Sequence, residues 1–159
     1  MSQGMFRLRP YQSTDEAAAT ELWQRGWQQA YPNIDFSQRL GWFHDHWANL
    51  QLDSRIILAE FALPPHKLAG FVAVSPRTGY LDQIVVAPEA QRLQCGQFLL
   101  DAAKHVGREG LYLHVNKDNT RALNFYQKCG FKIAGEDVNR RSGAPVYMMT
   151  WRPGASPST

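Results

Sequence analysis

The segment from residue 80 to residue 115 constrains the fold more than any other part of the chain. It contains an apolar run, YLDQIVV (80–86), then a proline and a short polar stretch, then a segment with helical spacing from about Cys95 to Gly107. A second apolar run, LYLHV (111–115), follows. Because two strands joined by one helix lie parallel in a right-handed unit, the segment predicts a parallel strand pair inside a sheet.

The rest of the chain predicts further strands and helices around this pair. Strands are expected at 6–10, 55–61, 67–75, 131–138 and 144–151, and helices at 16–31, from about 35 to 50, and at 120–129. The last two strands are expected to pair antiparallel, and Gly130 suits a left-handed helix end. We therefore predict an α/β (α+β) chain with a mixed sheet, one domain over 1–152 and a flexible C-terminal tail over 153–159.

Composition and charge argue against several classes of protein. The 159 residues carry a net charge of +3, and the basic residues are scattered, which argues against nucleic-acid binding. No apolar run approaches the ~20 residues that span a bilayer, and MSQGMFRLRP at the start lacks the apolar segment of a secretory signal. The two cysteines, Cys95 and Cys129, do not have the spacing of a metal site. We expect a cytoplasmic protein with free thiols, no metal, and no membrane or nucleic-acid partner, as a monomer or homodimer.

The junction between the strand at 80–86 and the following helix is a candidate anion site. Backbone N–H groups at a helix start have no partner within the helix, and the helix dipole is positive there. The turn from Gln91 to Gly96 therefore suits a phosphate, at the strand ends where ligands bind in such sheets. It holds one glycine, Gly96, where a phosphate-binding turn often has more. The alternative is that the turn is only a helix entrance.

Two motifs in this region resemble those of the GCN5-related N-acetyltransferase (GNAT) family. The first is IVVAP (84–88) with QRLQCG (91–96), similar to the family's strand ending in Val-x-Pro and its loop Gln/Arg-x-x-Gly-x-Gly/Ala. The second is NTRALNFYQKCGF (119–131), similar to the family block Asn-x-x-Ala-x-x-(Phe)-Tyr-x-x-x-Gly-Phe. With the strand order, the resemblance covers roughly residues 5–152. It implies the GNAT fold: a mixed, mostly antiparallel twisted sheet of six to seven strands, flanked by about four helices, with a central parallel pair.

The resemblance also implies a site for acetyl-CoA as co-substrate. The coenzyme-binding residues that it implies are Ile84, Val85, Val86, Gln91, Arg92, Leu93, Gln94, Cys95, Gly96, Gln97, Asn119, Ala122 and Tyr126. Asn119 has the alternative role of a helix N-cap, Arg92 that of a solvated loop arginine, and Cys95 that of a packing residue. Asn116 and Arg121 are weaker candidates.

The loop departs from the family pattern at its first glycine, which is Gln94 here. A glycine costs nothing at positive φ and lets a phosphate approach closely. Gln94 still supplies an N–H, and the loop is expected to work if its φ is negative. We interpret Gln94 as a weakening of coenzyme affinity and not as loss of the site.

Tyr126 aligns with the tyrosine that serves in the family as the acid toward the departing sulfur. The alternative is core packing, because Ala122, Phe125, Tyr126 and Cys129 share the spacing of one helix face.

Asp82 is the candidate general base, because a carboxylate in an otherwise apolar strand is costly unless it is paired or used. Strand alternation places it on one face with Tyr80 and Val86. In relatives an acidic residue near this position serves as the base or orders a water. The alternative is a salt bridge to a nearby arginine, and Glu60 and His114 are further candidates for the base.

The family places its acceptor contacts on the first two helices and around the last strand pair. The substrate candidates here are Trp27, Tyr31, Trp42, Tyr80 and Asp82, and most of the helical aromatic residues have core packing as the alternative. The pattern His44–Asp45–His46 is not expected to bind a metal, because residues two apart on a helix point in nearly opposite directions. Arg140 and Arg141, in a hairpin turn, either reach an acidic acceptor or are solvated.

The expected function is transfer of the acetyl group of acetyl-CoA to a primary amine of a small molecule or amino-acid derivative, by direct attack in a ternary complex. The alternatives are an acetyltransferase of peptide or protein amines, and an acyl-CoA-binding module without turnover.

Overall fold

The computed structural model describes residues 4–154, and the expected tail therefore lies mostly outside the described residues. Within that range the chain forms seven strands and four α-helices, close to the predicted positions. The strands are β1 Phe6–Pro10, β2 Arg55–Phe61, β3 Leu68–Val74, β4 Leu81–Val86, β5 Leu111–Asn116, β6 Lys132–Val138 and β7 Pro145–Trp151. The helices are α1 Glu16–Ala30, α2 Leu40–Asp53, α3 Cys95–Val106 and α4 Thr120–Lys128, with short 3₁₀ turns at Ser13–Asp15, Phe36–Arg39 and Pro88–Leu93.

The strands form two sheets that meet at one point. The first sheet has the order β1-β2-β3-β4 and the second the order β5-β7-β6, and all pairs within them are antiparallel. The sheets are joined by a parallel bridge between Tyr80 and Tyr112, where the Tyr112 N–H donates to the carbonyl of Gly79 at 3.0 Å. The predicted parallel pair is confirmed at this bridge, but it was expected to be longer, and β4 and β5 diverge beyond it.

Gly79 allows the two sheets to approach each other at the bridge. Its φ is +79°, in the left-handed region that glycine tolerates, and a Cβ there would collide with the carbonyl oxygen of Gly110. The two strands therefore begin close together and open toward their carboxyl ends.

The first sheet is covered on both faces. In β3, a Cβ at Gly70 would lie 2.7 Å from Leu99 of α3, whereas the next residue, Phe71, packs its ring against Trp47 of α2 at 5.1 Å. Because successive side chains of a strand point to opposite faces, α3 covers one face and α2 the other. Helix α2 and the 3₁₀ turn before it supply much of this core through four buried residues, Phe36, Phe43, Trp47 and Leu50.

Strand β4 contains a bulge at Asp82. Leu81 pairs with Val74 and Gln83 with Ala73, so Asp82 has no register partner on β3. A bulge adds one residue to a strand and re-aims the side chains beside it. The strict alternation that predicted one face for Tyr80, Asp82 and Val86 is therefore wrong at Asp82.

No helix within residues 4–154 combines the length and the apolar character that crossing a bilayer requires.

Candidate active site

A cavity of about 630 Å³ lies where β4 and β5 diverge. All six residues of β4 line it, together with Leu113–Asn116 of β5, the end of α1 and the starts of α3 and α4. Its volume falls within the roughly 300–1,000 Å³ that is usual for small-molecule sites. The predicted position of the site, at the carboxyl ends of the parallel strands, is therefore where the structure has a cavity.

The edge of β4 that faces the cavity keeps free backbone groups. The opposite edge of β4 pairs with β3. The bridge to β5 is at Tyr80, which precedes the first residue of β4, Leu81. Since each non-proline residue carries one N–H and one C=O, this edge can bind an extended ligand with amide groups, as an added strand would bind.

The start of α3 is uncapped and opens into the same cavity. Gln94 is its N-cap residue, and no side chain accepts a hydrogen bond from the first turn. Gln94, Gly96 and Gln97 line the cavity. Free N–H groups and the positive end of the helix dipole make this turn suited to a phosphate.

Gln94 adopts the conformation that the family pattern reserves for glycine. Its φ is +64° and its ψ is 24°, so the loop does not have the negative φ under which it was expected to work. A left-handed backbone costs a residue with a side chain about 1–2 kcal/mol. Gln94 therefore has the backbone geometry of the family turn at a cost in stability.

Gly96 fits a close approach between two helices. A Cβ at this position would lie 3.2 Å from the ring of Phe125 on α4 and 3.7 Å from Val86. The single glycine of the turn thus allows α3 and α4 to meet beside the cavity.

Helix α4 has defined ends that hold Tyr126 in place. At its start, the side chain of Asn119 accepts a hydrogen bond from the Ala122 N–H at 3.2 Å, so the N-cap role of Asn119 is confirmed. At its end, Gly130 has a φ of +96°, and the Phe131 N–H donates to the Tyr126 carbonyl at 3.0 Å. With the bond from Gly130 to Gln127 this forms a Schellman motif, as the predicted left-handed end requires.

The Tyr126 hydroxyl is available to a ligand. Tyr126 is 8% exposed and lines the cavity, and within residues 4–154 its hydroxyl has no hydrogen-bond partner. In that range, Trp23 Nε1 is the one side-chain nitrogen or oxygen atom that is both inaccessible to solvent and without a hydrogen-bond partner. The Tyr126 oxygen, which also has no partner, is therefore accessible. Burial raises the pKa of Tyr126 well above its usual value, which keeps the hydroxyl protonated.

Asp82 is paired with a histidine. The bulge brings its carboxylate to His46 of α2, with Nε2 and Oδ1 2.6 Å apart, and Gln83 donates to the same oxygen at 3.3 Å. The predicted alternative of a salt bridge to an arginine is therefore wrong for the part of the chain that the structure describes. Asp82 lines the cavity, whereas His46 lies outside its lining.

Most of the residues implied for the coenzyme line the cavity. They are Ile84, Val85, Val86, Gln91, Gln94, Gly96, Gln97, Asn119, Ala122 and Tyr126, and the weaker candidates Asn116 and Arg121 join them. Arg92 and Leu93 do not, because they end the 3₁₀ turn with exposed side chains. The Cys95 side chain is fully buried, and burial raises its pKa to about 12, so its thiol is a packing group.

Two of the five substrate candidates, Trp27 and Asp82, line the cavity. Tyr31 and Tyr80 lie behind it, each bonded to a residue at or beside it. The Tyr31 hydroxyl donates to Asp118 at 2.7 Å and accepts from Asn116 at 3.0 Å.

The Tyr80 hydroxyl lies 3.1 Å from Nδ1 of His114, and burial raises the pKa of Tyr80 to about 12. The side chain of His114, on β5, is exposed and lines the cavity. Trp42, expected to face a pocket, is instead stacked on His46, outside the cavity lining.

Three cavity residues of α1 beside the predicted Trp27 were not predicted from the sequence. Gly26, Gln29 and Ala30 line the cavity, and a Cβ at Gly26 would lie 2.9 Å from Val85. Gln91 donates to Gln29 at 2.8 Å and so ties the loop to α1. An isolated glycine inside a helical pattern was the available signal, since it indicates a close contact.

The other candidates for the base and for a metal differ in their surroundings. Glu60 accepts hydrogen bonds from Arg7 and Arg9 at 2.5 and 2.9 Å. Burial alone would raise the pKa of Glu60, but these arginines outweigh it and lower the pKa, so Glu60 is an ion-pair partner away from the cavity. His44 contacts Glu16, whereas His46 contacts Asp82. No group of three or more possible metal ligands occurs among residues 4–154.

The sequence matches the model of the acetyltransferase (GNAT) family over residues 16–131. The chain belongs to the GNAT acetyltransferase family. Its fold agrees: the PaiA N-acetyltransferase from Thermoplasma acidophilum, solved in complex with coenzyme A, superposes with a TM-score of 0.74 at 19% identity, over 92% of this chain and 98% of that one. The GNAT fold is therefore confirmed.

Curated relatives match over shorter segments. The chain is 41% identical over 63 residues to GCN5-related N-acetyltransferase 6, chloroplastic, from Arabidopsis thaliana, covering 37% of this chain and 22% of that protein. It is 32% identical over 70 residues to the peptidyl-lysine N-acetyltransferase YjaB of Salmonella typhimurium, covering 44% of this chain and 48% of that protein. The matched segments thus span less than half of the length of these two relatives.

We expect Gln94→Gly to raise the free energy of unfolding by about 0.5–1 kcal/mol, because glycine removes the left-handed penalty and loses part of that gain to backbone entropy. Urea denaturation measures the change. Gln97→Gly, three residues later in the first turn of α3, is the matched control and should lower the free energy of unfolding by about 0.5–1 kcal/mol. A loss of stability in both variants would contradict the strained conformation of Gln94.

Proposed function

We propose that the chain is an N-acetyltransferase that moves the acetyl group of acetyl-CoA to a primary amine of a small molecule or amino-acid derivative, by direct attack in a ternary complex. One observation supports this above the others. A single cavity brings together an uncapped helix start, an open strand edge, a free tyrosine hydroxyl and a carboxylate. These are the groups that phosphates, an amide-bearing arm, a departing thiolate and an attacking amine each need.

The coenzyme lies along β4 and the start of α3 in this proposal. The backbone N–H groups from Gln94 to Gln97 bind the pyrophosphate, and Arg121 at the cavity wall adds positive charge. The amide groups of the pantetheine arm bind the open edge of β4. An N–H on the same edge can polarise the thioester carbonyl, where charge develops during attack.

Asp82 removes the proton of the acceptor amine. An alkyl amine has a pKa of about 10.4, so its deprotonation at neutral pH costs roughly 4.6 kcal/mol of free energy. A positioned base typically contributes about 10²–10⁴-fold. The hydrogen bond from His46 orients the carboxylate toward the cavity.

Tyr126 protonates the leaving sulfur. The amine nitrogen forms a bond to the thioester carbon, the carbon–sulfur bond breaks, and the thiolate takes the proton of the tyrosine hydroxyl. The amine proton goes to Asp82. The raised pKa of Tyr126 keeps its hydroxyl protonated at neutral and mildly alkaline pH, so the proton is available to the thiolate.

A small acceptor is favoured by two contacts that cross the cavity rim. Gln29 bonds to Gln91, and Tyr31 bonds to Asn116 and Asp118, so α1 is tied to the loops on both sides. A slender amine enters such a site more readily than a folded protein surface. An acceptor on a peptide is the second candidate, since a relative at 32% identity is a peptidyl-lysine acetyltransferase.

Calorimetry with coenzyme A, followed by thiol release from acetyl-CoA across a panel of amines, tests the proposal. We expect coenzyme binding and thiol release that depends on a primary amine. Binding without release from any small amine or lysine peptide would favour a non-catalytic binding module. Release with lysine peptides alone would favour the second candidate.

We expect Tyr126→Phe to lower kcat about 100-fold at saturating acceptor, while the KM for acetyl-CoA changes little, because the hydroxyl acts on the leaving group. The raised pKa of Tyr126 predicts no loss of wild-type kcat from this group between about pH 8 and 10. Tyr147→Phe removes a hydroxyl outside the cavity and serves as the control. Wild-type turnover by Tyr126→Phe would remove the acid role.

We expect Asp82→Asn to lower kcat about 100-fold or more with coenzyme binding unchanged, because the base is lost and the coenzyme contacts are kept. Steady-state kinetics and calorimetry measure the two effects. Asp101→Asn, at an exposed position of α3, is the control. His46→Gln keeps an N–H donor for Asp82 and should retain more activity than His46→Ala. Equal activity of Asp82→Asn and wild type would exclude Asp82 as the base.

A further inference from the structure

A row of stacked side chains leads from Asp82 to the hairpin between β6 and β7. The ring of Trp42 stacks on His46, with centroids 4.6 Å apart and planes at 13°. The guanidinium of Arg141 lies over the ring of Trp42 at 4.2 Å. One hydrogen bond and two stacking contacts therefore connect the proposed base with the Arg141 cation.

The hairpin holds Arg141 in this position. The side chain of Asn139 accepts hydrogen bonds from the Arg141 N–H at 2.9 Å and the Ser142 N–H at 3.2 Å. The Asn139 N–H donates to the Ala144 carbonyl at 2.8 Å and closes the turn. Since a side chain that accepts from the turn stabilises it, the tip that carries Arg141 is fixed and not a free loop.

A second arginine lies on the same aromatic cluster, because the rings of Phe36 and Trp42 both contact the ring of Trp23, at 5.9 and 6.1 Å. Arg39, at the end of the 3₁₀ turn before α2, places its guanidinium over the ring of Phe36 at 5.0 Å. Burial, and then the charge of Arg39, lower the pKa of Arg141, so the two cations are close enough to repel each other. The nearest acidic residue in the sequence, Asp35, accepts hydrogen bonds from Ser37 instead.

Neither arginine has a carboxylate partner within residues 4–154, since no ion pair joins Arg39 or Arg141 to an acid there. Two cations on one aromatic cluster therefore lack an acidic partner among the described residues. The planar fork of a guanidinium matches a carboxylate through two parallel hydrogen bonds. Stacking on an aromatic face leaves the edge of that fork free for such a ligand.

We propose that Arg141 and Arg39 bind a carboxylate of the acceptor, which is therefore an amine that also carries a carboxylate. This inference rests on the proposed acetyltransferase function. His46 and Trp42 lie between Arg141 and Asp82, so the amine and the carboxylate of the acceptor are separated by a chain of several atoms. An amino acid with a side-chain amine has that form, and an α-amine directly beside its carboxylate does not.

Pairs of amines that differ by one carboxylate test the proposal. The pairs are L-lysine with cadaverine, and γ-aminobutyrate with propylamine. Initial rates of thiol release from acetyl-CoA give kcat/KM for each compound. We expect the carboxylated member of at least one pair to exceed its partner about tenfold or more.

Variants of the hairpin locate the carboxylate site. Arg141→Gln should raise the KM for the carboxylated amine about tenfold, leave kcat within a few-fold, and leave the KM of the partner amine unchanged. Arg39→Gln should act in the same direction. Arg140→Gln is the matched control, because Arg140 is the neighbouring hairpin arginine and has no ring or carboxylate contact in the described residues.

The outcomes separate this inference from the function on which it rests. If no amine releases thiol although coenzyme A binds, the proposed function fails. If amines are acetylated but carboxylated and plain members of each pair react equally, or Arg141→Gln behaves as Arg140→Gln does, the carboxylate site is wrong. Turnover of an acidic lysine peptide that depends on Arg141, with none of free lysine, would overturn the small acceptor.

Discussion

The divergence of β4 and β5 from a single bridge is the constraint on which the rest of the structure depends. The two strands meet at Tyr80 and Tyr112, where Gly79 lets the chain pass close to Gly110. Continued pairing would have used the outer N–H and C=O groups of β4 within the sheet and left no cavity. Because the pairing stops, β4 keeps an open edge, and the starts of α3 and α4 lie around the same opening.

The two helix starts at this opening differ in capping and in backbone strain. Asn119 caps α4, whereas Gln94 leaves α3 uncapped and has a φ of +64°. A left-handed residue with a side chain costs about 1–2 kcal/mol, and a missing cap about 1 kcal/mol. The fold bears both costs at α3 and neither at the neighbouring helix. Such local strain at a cavity is typical of a turn whose groups are completed by a ligand.

The sequence could predict the elements whose signals are local. Gly130 and the stripe around Tyr126 are enough to place α4 and its left-handed end, and the order of strand, helix and strand is enough for the parallel bridge. The length of the parallel pairing could not be predicted, because it depends on a close approach of residues from different segments. The partner of Asp82 could not be predicted either. Strand alternation assumes a regular strand, and the bulge at Asp82 adds one residue and turns the carboxylate toward α2.

The two halves of the cavity use different kinds of group, and this affects what membership of the family can say about the acceptor. The half proposed for the coenzyme consists mainly of backbone N–H and C=O groups, which survive a change of side chain, as Gln94 in place of glycine illustrates. The acceptor contacts proposed above depend instead on side chains: Asp82 lines the cavity, whereas Arg39 and Arg141 lie outside its lining. The family match ends at residue 131, before the hairpin that carries Arg141. Two chains can therefore share the fold and the coenzyme half while they differ in acceptor, and we expect acceptor specificity to depend on side chains beyond the matched segment, such as Arg141.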